Sequence, residues 1–278
     1  MTSAPSGWGP QDRDFAVCLT FDNLGEYAEI QAGVLPPDTP RGSHRSVTEG
    51  LPWLLELLED RPATFFVEGC AALDYPAALR TIAAAGKEVA LHGWEHEPSA
   101  RLGPEEGPLV AKAIAAMRSL SINVSGFRPP GGPPGRNTFA LLRGHGLTYA
   151  SCVGSRSGMS ANVPVLAYEW EAVDAYHFEP HLGAFRQSRR GSAAPSSTDE
   201  YLAAVDAALA RAAAARGVCV LVWHPYLLVN DAHRDAFTRG LVRVDASDAW
   251  VASCGSVAQA LSCSTGESSS AVIEATGW

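Results

Sequence analysis

Glu88-Val89-Ala90-Leu91-His92-Gly93-Trp94-Glu95-His96 is a short apolar run that ends in two imidazoles four residues apart. The run reads as a buried parallel strand, so its polar tip falls at the carboxyl edge of a sheet, where α/β enzymes carry their chemistry. Two His at i and i+4 on one helical turn lie about 5–6 Å apart at Cβ, which suits two corners of one divalent metal site. Three other segments follow the same grammar. Val17-Cys18-Leu19-Thr20-Phe21 delivers Asp22 and Asn23; Phe127 delivers Arg128 ahead of the rigid loop Pro129-Pro130-Gly131-Gly132; Val218-Cys219-Val220-Leu221-Val222-Trp223 delivers His224. One charge at a strand end is ordinarily a solvated loop residue. Four such ends, supplying carboxylate, imidazoles and guanidinium, point to a single site.

Strand and helix patterns alternate along the chain, the signature of a parallel α/β sheet or barrel. Strands are expected at 15–21, 63–67, 88–91, 126–128, 147–151, 164–166, 218–223 and 250–253. Helices are expected at 76–85, 104–120, 136–143, 198–216 and 257–261. A further helix follows Ser46, with Ser46 and Glu49 as its capping box. Residues 24–46 read as a long Gly/Pro-containing flap facing the substrate, and 186–197 as a mobile surface loop.

With Thr20-Phe21-Asp22-Asn23, His92-x-x-x-His96, Arg128-x-Pro130 and a late strand-borne His224 in that order, the chain resembles the NodB-type polysaccharide deacetylases, carbohydrate esterase family 4. The resemblance covers about residues 15–262, between an N-terminal extension (1–14) and a Ser-rich flexible tail (263–278). It implies a distorted, TIM-barrel-like (β/α) barrel and a metal-dependent hydrolysis of an amide or ester. It makes Asp22 the general base, His92 and His96 metal ligands, Arg128 the group that orients the base, and His224 the general acid. In the segment Glu169–Phe178 it makes Asp174 a buttress for Arg128 and Trp170 a wall of the pocket. Pro129 and Tyr226 join Trp170 as substrate-facing residues.

One departure stands out: the family's second Asp, its third metal ligand, is Asn23 here. A carboxamide oxygen can coordinate but brings no charge, so affinity for a cation falls. Asn23 then binds weakly, or Asp22 or Glu26 takes over, or the site has lost its metal. We expect one retained divalent ion, zinc fitting two imidazoles best.

The remaining motifs read as structure. His177 and His181 repeat the four-residue spacing, but Pro180 interrupts the turn, which makes them a solvated loop pair. His44 and His145 lack a strand-end context and read as surface residues. Trp94 and Trp223 read as core. His92-x-x-Glu95-His96 also matches an inverted metalloprotease pattern, yet Gly93 and Pro98 deny it the continuous helix that site needs. No Gly-x-Ser-x-Gly elbow for a serine hydrolase occurs.

Composition bounds the rest. The 278 residues, 46% hydrophobic, suit one large α/β domain, and no apolar run is long enough to span a bilayer. A net charge of −9 disfavours a nucleic-acid partner. Met1 to Trp8 has neither a basic nor an apolar leader region, and the six Cys read as free thiols, so a reducing cytoplasm is expected. These features favour a small intracellular N-acylated sugar or metabolite, or an oligosaccharide, as substrate; an oligomer is left open. The competing readings are a metal-free hydrolase of cyclic imides or ureides, and an altered family member that binds or tailors without this chemistry.

Overall fold

The computed structural model describes residues 7–263, 270–275 and 277. Ten strands form one sheet: β1 (Phe15–Asp22), β2 (Thr64–Val67), β3 (Glu88–Leu91), β4 (Gly126–Phe127), β5 (Tyr149–Arg156), β6 (Gly158–Ser160), β7 (Val163–Tyr168), β8 (Val218–Trp223), β9 (Ala249–Val251) and β10 (Val272–Ile273). Their order is β6-β7-β5-β4-β3-β2-β1-β8, with β9 added to β1 and β10 to β5. Every pairing is parallel except β6 with β7 and β10 with β5. The sheet curls into the expected barrel but does not close: across the seam from β7 to β8 runs one isolated bridge, Val173 to Val222.

Period-two alternation decides which side chains enter the barrel. On β1, Phe15, Val17, Leu19 and Phe21 pack into the sheet–helix layer, whereas Ala16 and Cys18 pack inside. On β8, Cys219, Leu221 and Trp223 go out while Val220 and Val222 go in. On β3, Val89 and Leu91 go out and Ala90 goes in. Carried one step further, the same parity turns Asp22, His92, Arg128 and His224 inward.

The helices fill the outer layer. Thr198–Ala215 starts with a complete capping box, in which Ser197 accepts from the Glu200 amide and Glu200 returns the bond. Several expectations are corrected. Ser46 opens a π-helical turn (Ser46–Gly50) rather than capping a helix; its hydroxyl instead accepts the Gly25 amide and meets the His44 ring. The flap 24–46 contains a short helix, Tyr27–Gln31. A helix at Asp231–Asp245 went unread, although Asn230 caps it on the Ala232 amide. The stretch 186–197 is loop only in part: it begins inside the helix Gly183–Arg190, where Arg186 is fully buried and donates to the Tyr176 and Glu179 carbonyls, and residues 191–197 follow without helix or strand.

The ends of the chain are also tied down where they are described. Trp8 donates its indole N–H to Arg216 O, and Asp14 pairs with Arg216. The segment read as a flexible tail contributes β10, whose neighbours Ala271 and Glu274 donate to Met159 O and Val153 O. Its remaining residues, 264–269, 276 and 278, lie outside the described residues, as do 1–6. No helix among the described residues is long and apolar enough to cross a membrane.

Candidate active site

The four strand tips meet in one narrow cleft at the carboxyl end of the barrel. Asp22, Asn23, His92, His96 and His224 line it together with Trp170 and Tyr226. Asp22 is held by Arg128, whose Nη1 donates to Oδ1 at 2.5 Å and to Thr20 Oγ1 at 3.0 Å. The guanidinium also donates to Ser151 Oγ and lies over the rings of Phe66 and Tyr168, its Cζ 4.0 and 4.9 Å from their centres. It is completely buried, so the ion pair it forms with Asp22 is shielded from water. Arg128 therefore holds the carboxylate from beneath.

Asp174 does not buttress Arg128. Its Oδ1 lies 2.5 Å from His224 Nδ1, and its Oδ2 accepts the His224 amide at 2.8 Å. Arg128 is already satisfied by Asp22, Thr20 and Ser151, whereas His224 faces Asp174 directly across the barrel seam. Burial disfavours the imidazolium, but the charge and hydrogen bond of Asp174 outweigh it and hold His224 above the ordinary histidine value. With Nδ1 engaged, Nε2 is the nitrogen left for chemistry.

His92 and His96 come together, but not on a helical turn. Gly93 and His96 both take positive φ (78° and 67°), and the Glu97 carboxylate caps the resulting tight turn through the Trp94 and Glu95 amides. The two rings sit 4.9 Å apart. His92 Nδ1 donates to Arg128 O at 2.8 Å, which turns Nε2 into the cleft, 3.9 Å from Asp22 Oδ2. Burial lowers His92 to about 3 and His96 well below its usual value, so both rings are neutral, the form in which imidazole binds a metal.

Among the described residues no three His, Cys, Asp or Glu side chains converge as a metal-holding group, so an amide oxygen would have to complete one. Asn23, at φ 67°, turns back beside Asp22, and its Oδ1 is buried without a hydrogen-bond partner. An orphaned buried acceptor beside two neutral imidazoles, one of them oriented through its far nitrogen by a carbonyl, fits a divalent cation. Glu26 does not line the cleft; its Oε1 accepts Tyr75 Oη at 2.5 Å, while its Oε2, like Asn23 Oδ1, is buried without a hydrogen-bond partner.

The expected substrate-facing residues divide. Trp170 and Tyr226 line the cleft; Pro129 does not, being buried in the loop that presents Gly131 there. Sequence reasoning missed Glu29 and His181, which also line it. Glu29 lies on the flap helix with His44 Nε2 at 2.7 Å and Arg45 Nη2 at 2.6 Å, so His44 is a buried partner rather than a surface residue. Burial works against the Glu29 anion, yet those two neighbours keep it below its ordinary value. His177 is likewise buried, between Ser196 Oγ and Glu171 O, while His181 pairs with Glu179. His145 and Glu95 are exposed, Trp223 is buried beside Phe21, and Lys112 lies over the Trp94 ring at 3.8 Å.

A mostly parallel barrel with a carboxylate, a carboxylate-bound imidazole and a His pair at its carboxyl end is the layout of a hydrolase. The polysaccharide deacetylase family model matches residues 10–150, and the chain belongs to that family, hydrolases of carbon–nitrogen bonds other than peptide bonds. A peptidoglycan deacetylase of Helicobacter pylori is 30% identical over 130 residues, 45% of this chain and 43% of that protein, so the chain matches less than half the length of this curated relative. Among solved structures, a provisionally named polysaccharide deacetylase of Mycobacterium smegmatis superposes with a TM-score of 0.77 at 25% identity over 95% of both chains. An allantoinase superposes with 0.71 at 18% identity over 93% of both, a likeness of fold alone.

Proposed function

We propose that this protein hydrolyses an N-acyl, most simply N-acetyl, group from a sugar or small metabolite. The observation that carries the reading is the pairing of opposites in one cleft: Asp22 clamped as a base by Arg128, and His224 held above its ordinary pKa by Asp174. Asp22 takes the proton of the attacking water, whose oxygen adds to the acyl carbon. His224 Nε2 gives a proton to the amide nitrogen as the carbon–nitrogen bond breaks, leaving a carboxylate and an amine. His92, His96 and the Asn23 oxygen would hold one divalent ion, zinc by ligand type, which when bound polarises the acyl carbonyl and acidifies water. Trp170 and Tyr226 wall the substrate.

The cleft is narrow and the flap covers it, which favours a compact substrate over a polymer; a reducing cytoplasm fits six cysteines of which the described structure pairs none. The metal-free imide or ureide reading draws its support from Asn23 and the lack of a third charged ligand.

The test exploits leaving groups. Asp22→Asn and His224→Ala should each lower kcat on an N-acetyl amide by about 10²–10⁴-fold. An aryl acetate departs without protonation, so His224→Ala should spare it while Asp22→Asn impairs both. Equal losses on both substrates for His224→Ala would remove it as the acid.

A further inference from the structure

We propose that residues 270–275 and 277 form the outer wall of the substrate cleft, and that Glu274 is a positioning residue that sets Trp170 and the Gly131–Gly132 loop. This rests on the cleft being the site of the reaction proposed above.

The strand lies against the barrel through a continuous set of contacts. Arg156 Nε donates to Ser270 O, Ala271 N to Met159 O and Glu274 N to Val153 O. A Cβ on Gly154 would stand 2.1 Å from Val272 O, so the approach requires that glycine. The far end reaches the rim: a Cβ on Gly277 would stand 2.0 Å from Gly131 O, and Gly131 lines the cleft. The next residue, Gly132, accepts the Val153 amide through its carbonyl and touches Trp170 so closely that a Cβ would meet the indole at 3.1 Å.

Glu274 acts from the other side. Its carboxylate accepts Arg189 Nη1 at 2.9 Å, and Arg189 also reaches Glu171, next to Trp170, at 3.5 Å. Arg189 lies over the Phe185 ring at 5.7 Å, and Phe185 packs edge-on against Trp170 at 5.0 Å. The Trp170 indole N–H is buried with no hydrogen-bond partner. Packing alone therefore sets this ring, and Glu274 anchors the outermost layer of that packing. The unpaired N–H is left for an acceptor oxygen of the substrate.

Glu274→Ala and Arg189→Ala test this in the full-length chain. The ion pair is open to solvent, with about a quarter of each side chain exposed, so each should raise KM for the N-acetyl substrate by at most about fivefold with kcat changed less than about twofold. The double variant should lose no more than either single one, because both break the same link. Glu274→Gln, which keeps an acceptor for Arg189, should recover part of the loss. Hydrogen exchange, independent of any activity, should quicken in peptides covering 129–135 and 168–173. Unchanged exchange in both peptides overturns the proposal. So does faster exchange with an unaltered KM, or a fall in kcat alone. If no amide substrate is turned over, the exchange result still decides the wall, and only the reaction reading fails.

Discussion

Asp174→Asn is the most informative single change, because it keeps the size of the His224 support while removing its charge and exchanging one of its two acceptor oxygens for a donor NH2. In the wild type the carboxylate meets His224 Nδ1 at 2.5 Å, with both groups buried. A hydrogen bond between charged, buried partners contributes about 1.5–3 kcal/mol, and one pKa unit is about 1.4 kcal/mol, so the imidazolium should become about 1–2 units more acidic. The sign follows from the role: an acid works only while protonated, so activity is lost as pH rises through its pKa. Lowering that pKa moves the alkaline limb of kcat/KM to lower pH. The assay is a pH–rate profile of wild type and variant on an N-acetyl amide and an aryl acetate. The amide limb should shift down by about 1–2 pH units, while the acetate, which needs no proton, keeps its profile. An unshifted amide limb refutes the assignment of Asp174 as the partner of a catalytic acid.

Asn23→Asp adds a charged oxygen at the third ligand position and should tighten divalent-metal binding about tenfold or more in calorimetric titrations. Elemental analysis that finds no metal, in wild type and Asn23→Asp alike, would favour the metal-free reading. Phe237→Ala opens a cavity in the layer formed with Trp223 and Phe21, with ring centres 4.9 and 5.8 Å away, and should cost about 3–5 kcal/mol in denaturant unfolding while sparing kcat. Thiol titration should find one fast-reacting group in the native protein, Cys263, and all six under denaturant. A bridge from Cys254 to Cys263 is excluded by geometry: they start and end one helix, about 13 Å apart.

The site was legible wherever strand parity governs it. Asp22, His92, Arg128 and His224 each continue the inward alternation of an apolar strand, and that pattern is written in the sequence. The partner of Asp174 was not legible, since it depends on two segments 50 residues apart meeting across the barrel seam. Nor was the turn at His92–His96: the spacing suggested helix, but Gly93, Pro98 and the Glu97 cap settle a tighter backbone. Buried His44 and His177 owe their places to long-range neighbours, Glu29 and Ser196, in segments whose composition reads as loop. The terminal strand was hidden for the same reason. Its Ser-rich surroundings suggested disorder, and only the bare backbone of Gly154 lets it dock.

The open seam between β7 and β8 ties the protonation state of His224, the proposed acid, to the integrity of the barrel. Among the described residues Val173 and Val222 supply the one backbone bridge there, and Asp174 and His224 follow within two residues on either side. Their ion pair is thus a clasp as well as the support of the proposed acid. A histidine whose pKa is raised on folding contributes its full stabilisation below the unfolded value of about 6.5 and loses it as pH rises through the folded one. Alkalinity that silences the acid therefore also unfastens the wall it stands in, and the two losses should share one titration.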